Sequence, residues 1–143
     1  MLLKKVIVNT IKFTRISINE KLMLIEALFL FLKTIFFVKI LPLKYYHNYI
    51  GNYMKEMSLD ENSNYNYDDV ISAIRRAKLI IPFRTKCLVN SIVLKKMLDK
   101  RSIKNMLYLG VYKNNYSSLN AHAWVNINNK SNSDKYKIIA YFS

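Results

Sequence analysis

The sequence predicts an α+β fold, in which a cysteine-bearing helix packs on a small antiparallel sheet and a helical segment precedes both. Three observations lead to it. A long apolar run with a helix-start signal fills the first third. Beyond Thr85 the apolar residues recur at the spacing of a helix with one broad buried face. Three short runs rich in β-branched and aromatic residues, separated by polar loops, then close the chain.

Taken in order, the first 21 residues place Lys4, Lys5, Asn9, Lys12 and Arg15 among apolar residues, so no uninterrupted apolar core of an export signal is expected there. Ser17 with Glu20 three places on has the spacing of a capping box, and a helix is expected to start at that point. The run that follows, residues 22–43, is the most hydrophobic in the chain, yet Glu26, Lys33 and Lys39 interrupt it. A spanning helix needs about 20 mostly apolar residues with few charges. A buried helix of the fold is therefore expected in preference to membrane attachment. Pro42 ends or kinks that helix. A Tyr-rich stretch containing His47 leads through Gly51 to a polar linker over residues 58–69.

Asp68 and Asp69 suit the first turn of a further helix, where the dipole is positive, and Pro82 stops it. The next helix has Thr85 as its expected N-cap. The strands expected after it are MLYLGVY, LNAHAWVNI and KYKIIAYF, with KNNYSS and NNKSNS as the loops between them.

A chain of 143 residues, 52% apolar and with only two Gly and two Pro, can bury one core. We expect residues 1–62 to form an N-terminal helical segment packing on a catalytic core of residues 63–143. A formal charge of +14 favours anionic partners without choosing among nucleic acid, lipid and acidic polypeptide. A single cysteine excludes an internal disulfide framework and points to the cytoplasm. With only Gly51 and Gly110, no phosphate-binding glycine loop is present, and no cluster of Cys, His and acidic residues has metal-ligand spacing. No cofactor or metal is expected.

Cys87 falls in the first turn of its helix, where unpaired N–H groups and the dipole stabilise a thiolate, with Arg84 and Lys86 adding positive charge. A lone cysteine also serves as a small buried hydrophobe, so it needs a base. Of the two histidines, His122 lies in a strand between two alanines, with Asn120, Trp124 and Asn126 on its own face. His47 reads as structural. An imidazole acting as base needs an acceptor on its second nitrogen. Asp134, the only acid after Asp99, stands at the start of the last strand, where an antiparallel neighbour would bring it alongside His122. A solvated turn aspartate competes with that role, and Asn126 or Asn128 would substitute as orienter.

Helix-borne cysteine, strand-borne histidine and next-strand aspartate, in that order, resemble the transglutaminase-like (papain-like) arrangement. From Val70 the resemblance narrows to the catalytic region of lasso-peptide B proteins. It is carried by Arg75 and Arg76, Pro82, Cys87 with Leu88, Ile103, Leu109 to Val111, and Ala121 to Val125. The apolar run upstream resembles the helical preface of the stand-alone catalytic subunits. The segment after Trp124 departs from that pattern, having no glycine between Asn126 and Ser133, which leaves the register of Asp134 open. The resemblance implies a cysteine peptidase that removes the leader from a lasso-peptide precursor. Cys87 would be nucleophile, His122 base and then acid, and Asp134 orienter. It implies as partners the precursor peptide, a separate leader-recognition protein and a cyclase. Two alternatives stand beside it: an acyltransferase of the same fold, and a non-catalytic basic nucleic-acid-binding protein with its tyrosines interleaved among lysines.

Overall fold

The computed structural model describes residues 17–55, 67–82, 84–113, 118–127 and 136–143. Asp134, Asn128, residues 1–16 and most of the expected linker lie outside them. Among the described residues the order is α1 (Ile18–Ile40), α2 (Leu43–Ile50), α3 (Asp68–Ile80), α4 (Cys87–Asp99), β1 (Met106–Lys113), β2 (Leu119–Asn126) and β3 (Lys137–Phe142).

The start of α1 is the capping box expected from the sequence. Glu20 N–H donates to Ser17 Oγ (3.3 Å), and the Ser17 N–H donates to Glu20 Oε2 (3.0 Å). Arg76 of α3 adds a bond to Glu20 Oε1 at 3.1 Å, which fastens the first turn of α1 to α3. These contacts hold the Glu20 carboxyl below its ordinary range, with the Ser17 backbone the largest cause and Arg76 the next. Farther along, Glu26 receives both terminal nitrogens of Arg101, at 3.2 and 3.1 Å, and Lys100 Nζ at 3.3 Å. The charge that interrupts the apolar run thus anchors the helix to the chain beyond α4.

Leu24, Ala27 and Phe31 bury one side of α1 against α3 and α4, in a core with Val70, Ala73, Ala77, Val93 and Met97. The expectation that this helix is buried holds for that side only. Ile18, Leu22, Ile25, Phe29, Leu32, Phe36 and Ile40 are 56–70% exposed. The sequence is apolar on both faces, but among the described residues only one face is packed against other elements. No helix among the described residues is long and apolar enough to cross a membrane.

Pro42 ends α1 and caps α2, a short helix within the Tyr-rich stretch. There His47 Nδ1 bonds the Lys44 carbonyl at 2.7 Å, the structural role expected of it. Asp68 and Asp69 occupy the first turn of α3, and the helix ends at Ile80, ahead of Pro82.

The sheet has the order β2-β1-β3, with both pairings antiparallel. This corrects one expectation: β3 is not the direct neighbour of the histidine strand, because β1 lies between them. The reason is burial. β1 packs Leu107 and Leu109 into the core on its inner face and stacks Tyr108 on its outer face, so it takes the centre, whereas the first half of β2, Leu119–His122, is exposed and suits an edge. The inner face meets α4 through Leu88, Ile92, Leu107, Leu109 and Val125, with Phe142 beneath.

Candidate active site

The α4 helix begins at Cys87 itself, one residue nearer its end than expected, because Lys86 and not Thr85 is the N-cap. The Thr85 hydroxyl is engaged elsewhere, donating to Asn90 Oδ1 at 2.8 Å, while Asn90 Nδ2 donates to the Thr85 carbonyl at 3.4 Å. That pair straps the approach segment onto the helix. The first helical bond is from the Asn90 N–H to the Lys86 carbonyl (3.2 Å), so the N–H groups of Cys87, Leu88 and Val89 have no acceptor within the helix. A half-buried free thiol thus sits beside a cluster of available donors and the positive end of a helix dipole.

Two open depressions flank the segment before Cys87. One, of about 390 Å³, is lined by Lys78, Ile81, Pro82, Arg84 and Thr85. The other, of about 290 Å³, lies between Ile35, Val38 and Lys39 of α1 and Arg84, Lys86 and Val89. Each carries at least two cationic side chains, and Cys87 itself lines neither.

Beside the apolar contacts through Val125, a hydrogen bond from Ser91 joins α4 to the histidine strand, at a residue with no local sequence signal. Its buried hydroxyl donates to the Ala123 carbonyl at 3.0 Å. Ser91 is four residues after Cys87, so the two side chains share one face of α4, about 6 Å apart along its axis. Ala123 is the residue after His122. The cysteine-bearing face of α4 is therefore turned to the inner side of β2 beside Ala123, the side opposite to the one on which His122 projects.

His122 and Trp124 lie on the outer face of the sheet, and Ala123 and Val125 face the core, the alternation expected from the sequence. The exposed imidazole stacks on Tyr136 (5.2 Å between centroids) and on Trp124 (6.0 Å), and Trp124 stacks in turn on Tyr108 (5.7 Å). These rings meet because Gly110 of β1 stands opposite both His122 and Ile138. A Cβ there would come within 2.9 Å of both the Trp124 ring and Tyr136 Cβ. The imidazole and the body of α4 are therefore on opposite faces of the sheet, and among the described residues no hydrogen bond or ring contact joins Cys87 to His122. Tyr136 and Gly110 were legible only as a tyrosine and as the lone glycine of the strands.

In this fold a helix opens on a cysteine and packs against an antiparallel sheet whose edge strand bears a histidine. The sequence profile of the transglutaminase-like superfamily matches residues 43–142, and the chain belongs to that superfamily, in which catalysis is usually cysteine-based. The matched span includes Cys87, His122 and Asp134 and begins after α1. No curated protein matches the chain, and no solved structure does.

Proposed function

We propose that the protein is a cysteine peptidase that removes the leader from a lasso-peptide precursor, working with a separate leader-recognition protein and ahead of a cyclase. The observation that carries the catalytic part is the Ser91–Ala123 bond, which sets the face of α4 bearing Cys87 against the strand bearing His122. The lasso assignment rests on the sequence resemblance from Val70 onward.

In this mechanism the Cys87 thiolate attacks the carbonyl at the leader–core junction, and the N–H groups of the first helical turn receive the developing oxyanion. His122 takes the thiol proton and returns it to the departing amine, then activates water to release the acyl group. Asp134 accepts a bond from the second imidazole nitrogen. Its near neighbour Tyr136 stacks on that imidazole, which supports the choice of Asp134 over Asn126, a residue on β2 itself. The basic depressions on either side of residues 84–86 take acidic residues of the precursor.

The test is mass spectrometry of the precursor incubated with this protein and the leader-recognition protein. Release of leader and free core, abolished by Cys87→Ala in a chain still folded by circular dichroism, is the expected result. Core joined to an added amine in place of water would assign acyl transfer instead. Normal cleavage by Cys87→Ala would refute the nucleophile.

A further inference from the structure

The apolar stripe on the outward face of α1 has no role in the chemistry just described. At about 100° per residue, its seven exposed apolar side chains from Ile18 to Ile40 lie within about 40° of one line along the helix. Lys21 and Lys39 project about 60° to one side of that line, and Lys33 about 60° to the other, with its Nζ over the Tyr49 ring at 4.8 Å. The residues that attach α1 to the protein, Leu24, Ala27, Phe31 and Thr34, are on the opposite side. Glu26, the acidic group nearest the stripe, is neutralised by Arg101 and Lys100. The superfamily profile begins only at residue 43, so this face belongs to a segment outside the matched domain.

We propose that this face of α1 docks the protein on an anionic lipid surface, with Phe29, Phe36 and their aliphatic neighbours entering the acyl boundary and the flanking lysines reaching phosphate headgroups. A helix lying in the interface needs an apolar stripe edged by cations, and this one has both. The charge of +14 adds long-range attraction to anionic lipid and repels a second copy of the chain. Size separates the occupants as well. The stripe is about 33 Å long and about 10 Å wide, so pairing two copies along it would bury on the order of 700 Å² in total. A stable protein interface buries about 1,200 Å² or more. A lipid surface needs no complementary partner face.

Co-sedimentation of the full chain with vesicles tests this. The chain is expected to pellet with phosphatidylcholine vesicles containing phosphatidylglycerol, far less with phosphatidylcholine alone, and less as salt is raised. Phe29→Gln with Phe36→Gln should reduce the bound fraction about tenfold or more, and Lys21→Gln with Lys33→Gln should weaken binding to the anionic vesicles alone. Ile18→Gln with Leu22→Gln, at the other end of the stripe, gives a second reading should the phenylalanine variant misfold by circular dichroism. Failure to pellet with anionic vesicles overturns the proposal, as does undiminished binding by the folded stripe variants. A concentration-dependent dimer that these variants dissolve, without lipid binding, would assign the face to a second copy instead.

Discussion

The imidazole of His122 rests on the ring of Tyr136, 5.2 Å between centroids, across the one residue of β1 that has no side chain. Three strands are thereby tied to the orientation of one ring. The proposed base is thus held from the side of β3, beyond the central strand.

Gly110→Ala should therefore damage catalysis more than folding. The new methyl would press on Trp124 and on Tyr136 Cβ, and relief requires both rings to move from the histidine. A misplacement of about 1 Å at a catalytic group costs about 10²-fold in turnover. Single-turnover cleavage should show that loss while far-UV circular dichroism stays unchanged. Full activity in a folded Gly110→Ala chain would remove the stack from the mechanism.

The proposed triad should behave as one unit. Asp134→Asn should lower turnover by about 10²–10⁴. His122→Ala should be worse, and adding Asp134→Ala to it should cost little more, because members of one catalytic unit are non-additive. Additive losses would show that Asp134 acts elsewhere. Near-normal cleavage by Asp134→Ala would direct attention to Asn126 and Asn128.

The cations around residues 84–86 should act on binding. Arg84→Gln and Lys86→Gln are expected to raise KM for an acidic precursor with a smaller change in kcat, and added salt should mimic them. A KM insensitive to both salt and substitution would mean that the depressions do not receive substrate.

Lys95 and Asp99 should respond unequally to truncation. Lys95 is buried, its side chain 2% exposed, and its Nζ meets Asp99 Oδ1 at 3.1 Å. Asp99→Ala strands that charge and should destabilise the chain by about 2–4 kcal/mol, the lower part of the range allowing for a carboxylate that is partly exposed. Lys95→Met removes the buried charge and leaves Asp99 with Asn105 (2.8 Å) and Lys96 (3.8 Å), so it should fall within about 1 kcal/mol of the parent. Denaturant unfolding of both variants checks the asymmetry.

Acid should loosen the start of α1. The folded-state pKa of Glu20 lies below the ordinary 4.5, chiefly through the Ser17 backbone and then Arg76. Its contribution is fully present above that ordinary value and is lost as pH falls through the depressed one. Glu20→Gln should thus lower the melting temperature at neutral pH and flatten its acid limb. An identical acid limb in the variant would assign the loss to other carboxylates.

Elements with local signals were legible from the sequence. Ser17 and Glu20 announce α1, Pro82 bounds α3, and alternation placed His122 with Trp124 and opposite Ala123. What could not be read depends on distant partners. Thr85 looks like a cap until Asn90 claims its hydroxyl. Lys95 reads as a solvated lysine until the fold closes over it, and nothing local says that β1 will separate β2 from β3. The apolar character of α1 was plain, but which half would find a partner depended on where α3 and α4 packed. Ser91, the residue that bonds α4 to β2, has no local mark at all.

The end of the β3 margin of the small sheet is occupied. Along β3, Asn52 and Ser143 exchange backbone bonds (3.1 and 3.2 Å) and the Met54 N–H donates to the Tyr141 carbonyl (2.9 Å), while on β2 the Ala123 carbonyl is taken by Ser91. An uncovered strand as apolar as KIIAYF is a template for self-association, since it presents a row of unpaired amides to any other chain. The residues just after α2 therefore act as a guard against polymerisation. Shortening that segment is expected to show first as turbidity on storage, before any loss of helix content.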